Sequence, residues 1–204
     1  MKDIPIRVIC GSKFIVVNCR LSDITMNAMN RRCFIRLGAL TLLARPAFSD
    51  GRFGRQTGTR SLSFYNLHTA ERLDAVYWAD GEYIPDALAE INRILRDHRS
   101  GDVFPMAPRL LDMLAELRDR LESAQPFEII SGYRSPKTNA MLRAQGHGVA
   151  ENSLHLKGMA ADVRLPGRDL DLLRRAAISL KAGGVGYYPA SQFVHVDIGR
   201  VRTW

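Results

Sequence analysis

From residue 60 onward the hydrophobic pattern switches repeatedly between a period of two and a period near 3.6, in an order that no regular βαβ repeat accommodates. RSLSFYN sets Leu62, Phe64 and Asn66 against Ser63, Tyr65 and Leu67, the alternation of a half-buried strand. Val76, Tyr77 and Trp78 run into Ala79-Asp80-Gly81, a hairpin signal. Pro85 and Asp86 open a helix, PDALAEINRILRDHRS, with Leu88, Ile91 and Leu95 on one stripe. Pro108 opens a second, with Leu110, Leu114 and Leu117 at helical spacing. PFEIISGYRS then reads as a short buried strand ending at Ser131-Gly132, and PKTNAMLRAQG as a helix stopped by Gly146. AADVRLP is a strand ended by Pro166; GRDLDLLRRAAISLKAGG is a helix with Asp169 in its first turn and two glycines after its end. VGYYPASQFVHVDIG supplies two more strands around Pro189. This mixture predicts an α+β fold, a small antiparallel sheet flanked by helices.

At 204 residues the chain has room for one domain with a real core. Its formal charge of +8 is unevenly placed. Residues 1–49 hold eight Lys and Arg and two acids, whereas the other 155 residues hold 21 basic and 19 acidic side chains. A body so close to neutral argues against a dominant phosphate-binding surface, and no nucleic-acid partner is expected. Cys10, Cys19 and Cys33 all lie in the first segment. The body therefore has neither a disulfide framework nor a cysteine metal site.

Residues 29–49, MNRRCFIRLGALTLLARPAFS, join the pair Arg31-Arg32 to a short apolar run. A basic head before such a run describes a twin-arginine-type export signal, with cleavage after Ser49 or Ala47, and hence a periplasmic location. The run is too short for a permanent membrane anchor. Since 28 residues precede this signal, the expectation is that translation begins at Met26 or Met29 and that residues 1–28 are a mis-annotated extension. A genuine folded extension is the rival. The working division is thus 1–28, 29–49 and a body of 50–204.

Three motifs of the body carry chemistry. SLHLKGMAADV places His155 and Asp162 seven residues apart around Gly158. In FVHVD, strand alternation turns Val194 and Val196 to one face and Phe193, His195 and Asp197 to the other. If the two strands are neighbours, His155, Asp162 and His195 converge as two imidazoles and a carboxylate, a three-ligand zinc set with one position open. From spacing alone, a satisfied core histidine, a turn-capping aspartate and a hinge glycine fit the same residues.

SGYRS at 131–135, SLHLKGMAAD at 153–162 and FVHVD at 193–197 follow in that order. Together they resemble the M15-type zinc D,D-peptidases of bacterial peptidoglycan, and more narrowly a periplasmic murein endopeptidase branch. The resemblance runs from about residue 60 to the closing GRVRTW. It implies a hedgehog/D,D-peptidase-like fold and zinc (Zn2+) held by His155, Asp162 and His195. It also implies Arg134 beside the oxyanion, and peptidoglycan as substrate, with hydrolysis of its cross-links. Ser153 either orders the loop or contacts substrate backbone.

One position departs from the family. Many relatives carry an acid three residues before the last histidine, and here that position is Gln192. Asp197 is then either the catalytic base or the group that orients a ligand histidine. His147 and Glu151 could reach the site from their loop. His68 and His98 carry no assigned chemistry, and Tyr133, Tyr187 and Tyr188 either line a groove or pack. Two rival functions remain: a D,D-carboxypeptidase acting on uncrosslinked stems, and a non-catalytic zinc-containing wall-binding module.

Overall fold

The computed structural model describes residues 58–204 except His147, and the backbone of 7–10 and 13–16. The chain divides into two units, Met1–Phe53 and Gly54–Trp204. In the first, β1 (Arg7–Cys10) and β2 (Lys13–Val16) form an antiparallel hairpin. Residues 29–49, read above as an export signal, lie outside the described residues. Among those that are described, no helix is long and apolar enough to cross a membrane.

The second unit is built on an eight-stranded sheet with the order β10-β8-β9-β7-β6-β3-β4-β5. Its strands are β3 (Thr59–Asn66), β4 (Arg72–Ala79), β5 (Glu82–Tyr83) and β6 (Phe127–Ser131). Then come β7 (Ala160–Arg164), β8 (Gly184–Tyr188), β9 (Phe193–Asp197) and β10 (Arg202–Thr203). The helices are α1 (Pro85–Ile94), α2 (Pro108–Arg120), α3 (Pro136–Ala144) and α4 (Leu170–Leu180). The α+β expectation holds, with a larger sheet than the pattern suggested. Most pairings are antiparallel, but β3 pairs parallel with β6 and β10 with β8. Between β3 and β6 the chain passes through β4, β5, α1 and α2, a connection long enough to set the two strands parallel.

Period two decides what each strand buries. Leu62 and Phe64 of β3, Phe127 and Ile129 of β6, Val163 of β7, and Val194 and Val196 of β9 are all buried in one core. Ile91 of α1, Leu110, Leu114 and Leu117 of α2, and Leu173 of α4 join them. The opposite side chains of β7 and β9 are therefore free for polar work, as the alternation predicted.

α1 ends earlier than its hydrophobic stripe suggests. Asp97 takes the backbone N–H of Arg99 with its side chain (2.9 Å), and its carbonyl accepts from Gly101 (2.7 Å). An aspartate that satisfies the local backbone in this way competes with continued helix. The resulting turn has a use. The other Asp97 oxygen accepts from the Ser135 N–H at 2.9 Å, and the Leu95 carbonyl accepts from the Tyr133 N–H at 2.7 Å. The end of α1 thus pins the SGYRS segment. Burial opposes ionisation of Asp97, but hydrogen bonds from Thr138, Ser135 and Arg99 outweigh it and hold the carboxyl well below its ordinary range.

Candidate metal centre

β7 lies between β6 and β9, and its register sets Asp162 directly opposite His195 on one side and Ser131 on the other. His155 arrives from a one-turn 3-10 helix, Leu154–Lys157, just before β7. Ser153 caps that turn, its Oγ accepting from the His155 N–H at 3.4 Å. Gly158 closes it at φ 64°, a left-handed conformation that costs glycine little. A Cβ at Gly158 would also run into the Pro105 carbonyl, so the position has no room for a side chain. The Arg134 N–H donates to the His155 carbonyl at 3.2 Å and ties the SGYRS segment to the turn.

His155, Asp162 and His195 converge, all three buried. Asp162 Oδ1 lies 2.8 Å from His195 Nδ1 and 3.3 Å from His155 Nε2, and the two nitrogens are 3.2 Å apart. A tetrahedral ion with bonds of about 2.0–2.1 Å has ligand atoms roughly 3.3 Å apart.

Proton bookkeeping points the same way. His155 Nδ1 meets the Gly132 carbonyl at 2.6 Å, and a carbonyl only accepts, so Nδ1 carries the hydrogen and Nε2 presents its lone pair. His195 Nε2 meets Asp197 Oδ2 at 3.1 Å, so the neutral ring with its hydrogen on Nε2 presents a lone pair at Nδ1 in turn. Two lone pairs and a carboxylate oxygen then face one another out of contact with water. Such a set fits a shared cation.

The charges of the site reinforce each other. Burial works against the ionised form of Asp162, but His155 and His195 more than compensate and hold the carboxyl below its usual range. Burial likewise opposes protonation of His195, while its bonds to Asp162 and Asp197 pull it upward.

Asp197 is fully buried and saturated. Its Oδ1 accepts from the N–H groups of Gly184 (3.0 Å) and Gly199 (2.8 Å) and from Arg202 Nη1 (3.2 Å). Its Oδ2 accepts from His195 Nε2 and from Arg202 Nη2 at 2.8 Å. Burial raises its pKa, but the bonds from His195, Arg202 and the two amides prevail and hold the carboxyl well down.

Arg134 stands at the edge of the set, its Nη2 3.8 Å from Asp162 Oδ2 and its Nη1 3.5 Å from Asn139 Oδ1. Its Nε is buried without a hydrogen-bond partner among the described residues. Burial lowers its pKa and Asp162 pulls the other way.

A family model described as peptidoglycan L,D-endopeptidase MepK, of the peptidase M15 type, matches residues 55–204. The chain belongs to this M15-type peptidase family. Peptidoglycan L,D-endopeptidase MepK of Escherichia coli K12 is 42% identical over 179 residues, which cover 86% of this chain and 97% of that protein. The probable peptidoglycan L,D-endopeptidase MepK of Haemophilus influenzae is 44% identical over 147 residues, covering 71% and 78%. A crystal structure of the Serratia marcescens L-Ala D-Glu endopeptidase ChiX aligns at 23% identity over 46% of this chain and 70% of that one. Its TM-score is 0.30, so the architecture given above rests on this chain's own elements.

Other residues of this M15-type peptidase fall outside the centre. Gln192 sits exposed in the β8–β9 turn at φ 57°, its amide donating to the Pro189 carbonyl at 2.6 Å. Glu151 is exposed and pairs with Arg143 at 3.3 Å. His147 lies outside the described residues. Tyr133 is buried and stacks on Phe104, with ring centroids 4.8 Å apart. His68 and His98 stack on each other at 3.7 Å. Sequence reasoning gave no role to Arg202, Trp204 or Asn139. The signal for the first two was the closing GRVRTW, which belongs to the resemblance but carries no role until the pairing of β10 with β8 brings it to the site.

Proposed function

We propose that the protein is a zinc-dependent peptidoglycan endopeptidase that cuts an L,D peptide bond in cross-linked wall peptides. The observation that carries the proposal is the meeting of His155 Nε2, Asp162 Oδ1 and His195 Nδ1 within 2.8–3.3 Å of one another. Two nitrogens and one carboxylate oxygen suit zinc and leave a fourth position for water or substrate. Peptidoglycan and the L,D bond come from the names of relatives that are 42–44% identical to this chain. They favour the L,D bond over the D,D bond that the sequence motifs suggested.

Zinc held there supplies Lewis acidity and makes water nucleophilic near neutral pH. The chain's own residues supply the rest. Arg134 places a fixed positive charge beside the ligand set, where a scissile carbonyl would develop negative charge. Of the two roles open to Asp197, orientation of His195 is the better supported. A carboxylate with no exposed surface and both oxygens occupied is poorly placed to exchange a proton with substrate. Ser153 caps the His155 turn, and we retain its hydroxyl as a contact for substrate backbone. Residues 29–49 remain our reading of an export signal, which would deliver the enzyme to the periplasm, where the wall lies.

Defined cross-linked peptides joined through an L,D or a D,D bond provide the test. Product masses should show cleavage of the L,D bond, loss of turnover with a chelator and restoration by zinc. His155→Ala should retain neither zinc nor turnover. Release of D-alanine from uncrosslinked stems alone would favour a carboxypeptidase. Binding to sacculi without any product would favour the wall-binding module.

A further inference from the structure

The ligand-bearing face of the sheet carries more than three ligands. β8 runs antiparallel to β9 with Gly186 opposite His195 and Tyr188 opposite Phe193. Side chains two apart on a strand share a face, so Tyr188 belongs to the same surface as His195 and Asp162. Gly186 leaves that surface bare, and the Trp204 indole fills the space. A Cβ at Gly186 would lie 2.7–2.8 Å from three indole atoms, so only glycine admits the ring. The indole stands 5.3 Å from the His195 ring, centroid to centroid.

The indole and the phenol then fix each other. Trp204 Nε1–H donates to the Tyr188 hydroxyl oxygen at 2.8 Å. An indole nitrogen can only donate, so the phenol must accept, and its own hydrogen is directed elsewhere. The Tyr188 ring stacks on Phe193 at 4.6 Å with 18° between planes, which holds the phenol in orientation. Tyr188 still keeps 38% of its surface exposed, so an incoming peptide can reach it.

From this arrangement we propose that Tyr188 is a further catalytic residue, whose hydroxyl donates a hydrogen bond to the scissile carbonyl oxygen as negative charge gathers there. Trp204 is the positioning residue that orients the hydroxyl. The proposal rests on the peptidase reading above. The phenol keeps its proton throughout, so its contribution is a hydrogen bond that strengthens toward the transition state. Packing alone would need the ring and not the oxygen, and that difference is what an experiment can read.

Tyr188→Phe keeps the ring and its stack on Phe193 and removes only the hydroxyl. On the peptide that the unsubstituted enzyme cuts, kcat should fall about 100-fold with KM, zinc affinity and Tm unchanged. Affinity for a phosphinate isostere of the scissile bond, a tetrahedral mimic, should fall by a comparable factor. Trp204→Phe should lower kcat by less, and adding it to Tyr188→Phe should cost nothing further. An unchanged kcat in Tyr188→Phe overturns the proposal, and so does a parallel loss of zinc affinity or Tm. Absence of turnover by the unsubstituted enzyme on every cross-linked peptide overturns the peptidase reading itself, and this one with it.

Discussion

His155 and His195 stand 5.0 Å apart, ring centroid to ring centroid, and are held by opposite means. His155 rides on a short turn, and a backbone carbonyl, that of Gly132, fixes its ring through Nδ1. His195 rides on a strand inside the sheet, and a buried carboxylate, Asp197, fixes its ring through Nε2. Hence one histidine turns Nε2 toward Asp162 and the other Nδ1. On the strand side orientation depends on a side-chain relay from Arg202 through Asp197, which single substitutions can interrupt. On the loop side it depends on backbone, which substitutions reach only by changing the path of the chain.

Interrupting the relay should have the largest effect. Asp197→Asn leaves the packing intact but lets an amide face His195 Nε2 and Arg202. Zinc affinity, measured by chelator competition, should fall about 10–100-fold, as for other partners of ligand histidines. If zinc affinity instead holds while turnover vanishes, Asp197 is the base and the comparison breaks at its strand side.

The loop side is tested through Gly158. Gly158→Ala demands the left-handed region of a residue with a Cβ and drives that Cβ into the Pro105 carbonyl. Stability should drop by about 1–3 kcal/mol, read as a lower midpoint in urea. Zinc affinity should fall with it, because the turn that carries His155 must shift. An alanine variant as stable as its parent would show that the turn tolerates a different path.

The smallest effect sharpens the same side. Asp97 holds the SGYRS segment, and its neighbour His98 is half-buried; that partial burial, with His68 and Arg99 nearby, pushes its pKa down to about 4. Folded protein therefore resists protonating His98, whereas the unfolded chain takes the proton near pH 6.5. Stability is fully present above that pH, declines as pH falls from about 6.5 to about 4, and then levels off. His98→Gln should flatten the slope in that window. A slope that survives the substitution must come from other groups.

Much of the element order was legible in residues 60–204, because hydrophobic period is a local property. The alternation of FVHVD placed Val194 and Val196 in the core and His195 on the other face, and the structure agrees. Pro85, Pro108 and Pro136 each stand at the first position of a helix. The end of α1 was not legible, because Asp97 acts there through its side chain rather than through period. Nor was the length of the sheet, since the two-residue strands β5 and β10 are too short to show alternation.

For the site, the sequence alone determined which side chains were available and which strand face they took, since residue type and alternation are written along the chain. The tertiary structure decided which of them meet. Pairing β7 with β9 put Asp162 opposite His195 across 33 residues, and no local pattern encodes such a register. It also decided which nitrogen each imidazole offers, because that depends on an acceptor at the far side of the ring, Gly132 for one and Asp197 for the other. Arg202 and Trp204 joined the site the same way: a tail of polar and aromatic residues gains a role only when β10 docks on β8 and carries it there.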